Sequence, residues 1–235
     1  MLKRLFLSSI FGLSLSLLLP AQETPSPEQG TVTTTGKFQP AETPPASGLV
    51  PKRELSGEFR VKELGADRVQ IGKVIIDRSQ RSISFPATVE VRDQNLEYLL
   101  VHETGKVHES LLSTPVPARD VHLAVILLAA NGKSPKVEIS WRKNGPDAVK
   151  PLTSLITQKE GAPKLGPGAW EYLGSSFDSR GFIAQREGSF IALIQDPAAL
   201  IVHRLASGLG RDDVYLPNTK HLPALGVPVK VVLTF

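Results

Sequence analysis

The sequence contains no cysteine among its 235 residues. This absence excludes disulfides, zinc sites with thiolate ligands, cysteine-held iron–sulfur clusters and a catalytic thiol. It also excludes a lipid anchor attached to an N-terminal cysteine. The fold must therefore depend on its apolar core, and a chain of this length can supply one.

Clustered basic charge is also absent, because no run of Lys or Arg is longer than two residues. The chain carries 27 basic and 23 acidic residues, a formal net charge of +4. Without Lys3 and Arg4 the net charge falls to about +2. Proteins that bind the phosphate backbone need a clustered basic face. Nucleic acid is therefore not an expected partner.

Long apolar runs are confined to the N-terminus. Lys3 and Arg4 precede Leu5–Leu19, an uncharged and largely apolar run. As a helix this run would be about 22 Å long, shorter than the roughly 30 Å hydrocarbon core of a membrane. With Ala21 before the cleavage point, residues 1–21 are predicted to be a signal peptide of an exported, periplasmic or extracellular protein. An uncleaved membrane anchor is the alternative, and no transmembrane segment is expected in the mature chain.

Residues 22–54 have the composition of a linker. They contain six prolines among Thr, Ser, Gln and Gly, and few large apolar residues. Such a segment cannot bury enough surface to offset its ordering entropy. We predict a disordered Pro/Thr-rich linker over 22–54, followed by a single globular domain over 55–235.

Alternating apolar residues in this domain indicate β-strands. The main predicted strands are Val69–Asp77, Ser82–Val91, Leu96–Glu103, Val107–Leu112, Lys136–Arg142, Trp170–Ser175, Phe182–Ala184, Ser189–Ile194 and Val227–Phe235. Pro86 within the second of these favours an edge strand or a bulge. Pro197–Val202 was interpreted as one helical turn.

One helix is predicted between Pro117 and Asn131. Pro117 suits a first helical turn, Asp120 complements the positive helix end, and Asn131–Gly132 marks its close. Val121–Ala130 is apolar on every side except at His122, which predicts a helix buried across the sheet. A buried strand is the alternative, because Val and Ile are common in the run. With eight or nine strands and one main buried helix, the predicted fold is a sheet-rich α+β domain.

Three of the five histidines lie in Leu96–Ala130. Leu96–Leu112 is predicted to be a hairpin turning at Thr104–Lys106. A three-residue turn would place His102 opposite His108 with Cβ atoms ~5 Å apart, and a two-residue turn would separate them. Together with His122, the pair could bind zinc or another divalent metal.

Lys106 and Glu109 are the other candidate ligand-binding residues of this segment. Glu109 points away from His108 in either register. The plainer interpretation is half-buried sheet histidines, with Lys106 and Glu109 solvated or ion-paired. A polar-ligand or peptide site on the same segment is a third interpretation. No other motif indicates a catalytic residue or an organic cofactor.

Several blocks between about Val69 and Phe235 resemble the YdjY-like domain family of exported bacterial proteins. The blocks are Ile75–Asp77, Ile83–Pro86, Glu97–Leu112, Val121–Leu128, Trp170–Ser175 and Ala199–Ile201. The resemblance implies no established activity and supplies no catalytic residue. Some members are described as ferredoxin-like or as carrying iron–sulfur motifs, and this cysteine-free chain departs from that description.

These observations favour an exported, non-enzymatic binding or structural module, with an envelope protein or a peptide as its partner. The alternative is a metal-binding protein or metal-dependent hydrolase that uses His102, His108 and His122. Metal analysis distinguishes the two.

Overall fold

Sixteen β-strands and three α-helices form the part of the chain that this computed structural model describes, residues 61–142 and 147–235. The strands are β1 (Val61–Gly65), β2 (Arg68–Ile71), β3 (Val74–Asp77), β4 (Ser82–Val89), β5 (Tyr98–His102), β6 (Ser110–Thr114), β7 (Lys136–Arg142), β8 (Asp147–Pro151), β9 (Ile156–Gln158), β10 (Trp170–Tyr172), β11 (Phe177–Asp178), β12 (Gly181–Phe182), β13 (Ser189–Ala192), β14 (Ile201–His203), β15 (Tyr215–Pro217) and β16 (Pro228–Thr234). The helices are α1 (Ala118–Leu127), α2 (Ile183–Glu187) and α3 (Arg204–Ser207), and two 3-10 turns span Val107–Glu109 and Leu152–Leu155. The predicted signal peptide and linker lie outside the described residues.

The predicted α+β class is confirmed, but eight or nine strands was too low a count. One reason is that a predicted strand, Val69–Asp77, is two strands joined by a tight turn. Gly72 has φ +54, and Ile71 pairs directly with Val74 across the turn. A positive φ at the first turn position suits glycine and a two-residue hairpin. The alternation of apolar residues continues through this turn, which is why the two strands were predicted as one.

Two other predicted segments also differ. Phe182–Ala184, predicted as a strand, contributes only its first residue to β12 before α2 begins. The helical turn predicted over Pro197–Val202 is wrong, because no helix forms there and β14 starts at Ile201. Both segments are short and apolar, and such runs fit a helix or a strand equally well.

The main sheet contains twelve strands and branches at β4. Along one path the order is β1-β2-β3-β4-β6-β5-β13-β14-β10, and β16 lies on the other edge of β4, followed by β7 and β8. Two small sheets, β11–β12 and β9–β15, stand apart from it.

Pro86 lies where the sheet branches. β3 pairs with β4 up to Ser84, and β6 takes over the same edge at Thr88. The carbonyl oxygen of Pro86 accepts a 2.7 Å hydrogen bond from the Thr114 hydroxyl of β6. Because the N and O of one strand residue point to the same edge, the proline nitrogen, which has no hydrogen, faces the gap between β3 and β6. The predicted edge strand or bulge is wrong, since β4 is paired on both edges and keeps a regular register with β16.

The alternating residues of β4 form much of the core. Ile83, Phe85, Ala87 and Val89 are all buried, as the pattern predicted. The inward faces of β7 and β16 are buried with them, at Val137, Ile139, Trp141, Val229, Val231 and Leu233.

Helix α1 packs against β3 and β4 with one face only. Val121, Ala124 and Val125 are buried, whereas Ile126 and Leu127 are 47% and 49% exposed. The prediction of a helix buried on every side is therefore wrong, although the helix itself is present. Among residues 61–142 and 147–235, no helix is long and apolar enough to cross a membrane.

Candidate functional site

The strands that carry the predicted hairpin run parallel to each other. Tyr98 pairs with Ser110, Leu100 with Leu112 and His102 with Thr114. The chain returns from β5 to β6 through residues 103–109 and their 3-10 turn, while β13 pairs antiparallel with the opposite edge of β5. Both predicted turn registers are therefore wrong, and His102 does not lie opposite His108.

His102 at the end of β5 makes local contacts. Its Nδ1 lies 2.8 Å from the Thr104 hydroxyl and accepts a 3.2 Å hydrogen bond from the Thr104 amide. Its own amide donates to the carbonyl of Gly188 at 2.8 Å. A Cβ atom at Gly105 would lie 3.1 Å from the His102 carbonyl and 3.4 Å from the carbonyls of Glu187 and Gly188, so the tight turn and its approach to the residues just before β13 favour glycine there. These contacts assign His102 a structural role in the connection.

His108 and His122 lie in quite different surroundings. The His108 side chain is 79% exposed, with Nε2 3.9 Å from Glu109. His122 is half-buried on α1, and its Nδ1 lies 2.7 Å from the Tyr172 hydroxyl. Burial lowers the pKa of His122 and raises that of Tyr172, so both side chains are held neutral at pH 7 and the phenol donates to the imidazole.

The described residues contain no group of three or more His, Asp or Glu side chains placed to hold a metal ion. The structure therefore does not bring His102, His108 and His122 together as a ligand set. Metal binding by the protein therefore stays a prediction, which a measurement of its metal content tests.

Lys106 belongs to a compact polar cluster. Its Nζ lies 3.2 Å from the Tyr98 hydroxyl, 3.6 Å from Glu109 and 3.9 Å from Glu97. Burial and the nearby Asp196 carboxylate raise the pKa of Tyr98 to about 12, and the hydrogen bond with Tyr98 raises the pKa of Lys106. Lys106 thus stays protonated and forms ion pairs with both glutamates, in agreement with the ion-paired interpretation of Lys106 and Glu109.

Glu97 and Glu109 also influence each other. Burial, followed by the charge of Glu109, raises the pKa of Glu97. A cavity of about 290 Å³ opens beside the pair and is lined by Gln94, Asn95, Glu97, His108, Glu109 and Asp212. Small-molecule sites are mostly apolar with a few polar groups, whereas every side chain lining this cavity is polar.

The most exposed apolar side chain of the described residues lies beside His122. Phe177 is 70% exposed and pairs with Phe182 across the short β11–β12 hairpin. Their rings stack at 4.8 Å, and they lie 6.5 and 5.0 Å from the His122 ring. Ile126, four positions after His122 on α1, shares its helix face. We call His122, Ile126, Tyr172, Phe177 and Phe182 the aromatic surface.

An ion-pair network holds the hairpin that carries Phe177. Asp178 accepts hydrogen bonds from the Arg180 amide at 2.8 Å and the Arg186 guanidinium at 2.9 Å. The Arg186 bond is the main cause of the lowered pKa of Asp178, and Arg180 adds to it. The exposed ring therefore projects from an anchored turn.

Sequence reasoning identified His122 but not the aromatic residues around it. Tyr172 lies 50 positions from His122, and no local pattern encodes that contact. The available signal was the spacing of Phe177 and Phe182 on either side of Asp178–Gly181, a segment with turn-forming residues, which places two aromatic rings opposite each other if the segment forms a hairpin.

Comparison of the chain with protein-family models, with curated proteins and with solved structures found no match.

Proposed function

We propose that this chain is a non-enzymatic module that binds another protein through the aromatic surface. The observation that carries the proposal is the exposure of Phe177, whose ring projects into solvent beside two further aromatic rings. Exposed apolar patches mark interaction sites, and here Phe177 and Ile126 supply the exposed apolar surface, whereas Tyr172 and Phe182 are buried. Aromatic side chains are also enriched among the residues that dominate binding energy in protein interfaces.

The shape of this surface favours a protein over a small molecule. Cavities of about 470, 290 and 340 Å³ open on the described surface, and no residue of the aromatic surface lines any of them. Small molecules bind in concave sites that enclose most of their surface. A projecting ring instead suits a pocket on a partner protein.

The electrostatic state of the surface supports the same conclusion. His122, the half-buried titratable group of the surface, is neutral at pH 7, so covering it removes no charge from water. Burying an unpaired charge would be costly. Asp178, Arg180 and Arg186 lie next to the rings and supply the polar rim that such interfaces have.

The proposal also includes two predictions from the sequence, export and family membership. The predicted signal peptide places the partner in the cell envelope or outside the cell, and membership in the YdjY-like family is part of the same proposal. The metal-dependent hydrolase stays the alternative, and it differs in requiring a bound metal.

Site-specific photo-crosslinking in cells that naturally express the protein tests this function. A photoreactive phenylalanine analogue at Phe177 should crosslink to one discrete protein, identified by mass spectrometry. The same analogue at Leu225, which is 58% exposed and outside the aromatic surface, is the matched control and should not crosslink to that protein.

The identified partner is then purified and titrated against the full chain. Phe177→Ala should weaken binding by about tenfold or more, as loss of an aromatic hot spot does, whereas Leu225→Ala should leave it unchanged. Equal affinity of the two variants would contradict the proposal. A crosslink to a second copy of the chain, with a concentration-dependent mass in sedimentation, would replace the separate partner with self-association.

A further inference from the structure

A cleft of about 470 Å³ opens beside the small β9–β15 sheet. Its walls are the 3-10 turn Leu152–Leu155, the strands β9 and β15, and the loop that carries Lys164. The cleft shares no residue with the aromatic surface. Its volume falls within the range of roughly 300–1,000 Å³ typical of small-molecule sites.

The walls of the cleft are held by hydrogen bonds between distant parts of the chain. The amide and side chain of Asn218 donate to the carbonyls of Leu155 and Ser154 at 2.7 and 3.2 Å. The Tyr215 hydroxyl donates to the carbonyl of Pro163 at 3.3 Å, which fixes the loop next to Lys164. The cleft is thus formed before any ligand arrives, and preorganisation of this kind favours binding.

Within the described part of the chain, the cleft is lined by a lysine and by no carboxylate. None of the described residues that line it is Asp or Glu, whereas Lys164 and the imidazole of His221 are both present. Lys164 is exposed and takes part in none of the ion pairs found among the described residues. The imidazole of His221 is positioned by Asn218 and Ser154, at 3.2 and 3.3 Å from its Nδ1. A negatively charged group on a ligand would pair with Lys164.

The rest of the lining is mixed. Thr153 and Thr157 contribute hydroxyl groups, and Leu165 and Tyr215 contribute buried apolar surface. A ligand for this cleft therefore needs an apolar part as well as an anionic group. We propose that the cleft binds a small organic anion, with a carboxylate or phosphate group near Lys164 and an apolar body against Leu165 and Tyr215.

NMR titration of the full ¹⁵N-labelled chain tests the proposal. The probes are benzoate, phenyl phosphate and benzyl alcohol, which share an aromatic body and differ in charge. At least one anion should shift the amide signals of Thr157 and Asn218, with a Kd on the order of millimolar for a fragment of this size. Comparison of benzoate with phenyl phosphate identifies the preferred anionic group, and benzyl alcohol should bind more weakly than either.

Charge variants supply the control. Lys164→Gln should weaken binding of the preferred anion by about fivefold or more, and Lys164→Arg should retain it. Lys230→Gln makes the same charge change at an exposed position of β16 and should have no effect. Failure of both anions to shift these signals, equal binding of benzyl alcohol, or equal weakening by Lys230→Gln would overturn the proposal. Each outcome is independent of partner binding at Phe177.

Discussion

The Nδ1 atom of His122 lies 2.7 Å from the hydroxyl oxygen of Tyr172. His122 belongs to α1, which covers β3 and β4, whereas Tyr172 ends β10, the last strand along the main path of the sheet. The bond therefore connects two parts of the fold that are distant in sequence. Phe235 near the C-terminus packs edge-on against the same tyrosine ring at 6.4 Å. The aromatic surface therefore contains a residue that packs inside the fold, Tyr172, as well as a residue exposed to solvent, Phe177.

We predict that Tyr172→Phe lowers the free energy of unfolding by about 1 kcal/mol, the usual net contribution of a hydrogen bond. The change keeps the ring and removes only the donor to His122. Urea unfolding at pH 7 measures the effect. In a double-mutant cycle with His122→Phe, the coupling energy should be at least about 0.5 kcal/mol. Additive effects of the two changes would show that the 2.7 Å contact contributes nothing.

Stability is also predicted to fall as the pH is lowered through the titration range of the buried His203. Its Nε2 donates to the Gly166 carbonyl at 2.9 Å, and its buried Nδ1 has no hydrogen-bond partner within the described residues. Burial lowers the pKa of His203 below its usual value of 6.5. Below about pH 6.5 the unfolded chain then binds more protons than the folded one, so acid favours unfolding.

The expected dependence on pH is at most about 1.4 kcal/mol per pH unit for His203. Thermal unfolding between pH 7.5 and 5.5 should show it, and His203→Gln should flatten the curve. The control is His108→Gln, because the side chain of His108 is 79% exposed. A slope that is the same in His203→Gln and the wild type would contradict the prediction. Raised carboxyl pKa values, as at Asp120, have the opposite sign and act at lower pH.

The sequence predicted those strands whose burial follows from their own alternation. β4 and β7 bury the alternate apolar residues that the pattern placed inward, such as Ile83, Phe85, Val137 and Ile139, because successive side chains of a strand point to opposite faces of the sheet. The alternation within a strand does not identify the strand with which it pairs. Thr104–Lys106 resembled a hairpin turn, yet β5 and β6 run parallel, and the antiparallel partner of β5 is β13, almost 90 positions later in the chain.

In the candidate site, too, the sequence indicated contacts between nearby residues but not contacts between distant ones. Lys106 and Glu109 lie close together in the sequence, and their ion pair was one of the two states, solvated or ion-paired, that the plainer interpretation allowed. The neighbours of His122 come from β10 and from the β11–β12 hairpin, and only the folded chain brings them together. The predicted metal site required an antiparallel hairpin that places His102 opposite His108. Because β5 and β6 run parallel, the structure does not provide that arrangement.

Metal analysis of the purified, tag-free chain should find less than one equivalent of zinc or another divalent metal per chain. The reason is that the described residues provide no group of three ligands. Mass spectrometry of the metal content after dialysis against Zn²⁺ measures it. One tightly bound equivalent that disappears in His102→Ala/His108→Ala, but not in His221→Ala, would instead support the metal-dependent alternative.

The orientation of α1 depends on a glycine that allows a close approach. A Cβ atom at Gly72 would lie 2.7 Å from Oδ2 of Asp120, and φ there is +54. Asp120 is nearly buried and pairs with Arg119 at 3.3 Å. Gly72→Ala should therefore combine backbone strain with displacement of a buried carboxylate. Gly132 has φ +73 but open space around it, so Gly132→Ala isolates the strain.

We expect Gly132→Ala to cost about 1 kcal/mol and Gly72→Ala to cost at least about 1 kcal/mol more, as overpacking does. Urea unfolding of both variants measures the difference. If the excess arises from the contact with Asp120, it should shrink when Gly72→Ala is introduced into an Asp120→Ala background, because coupled sites are not additive. Equal losses in the two glycine variants would mean that the turn and the helix adjust freely, and that Gly72 does not fix the position from which α1 presents His122.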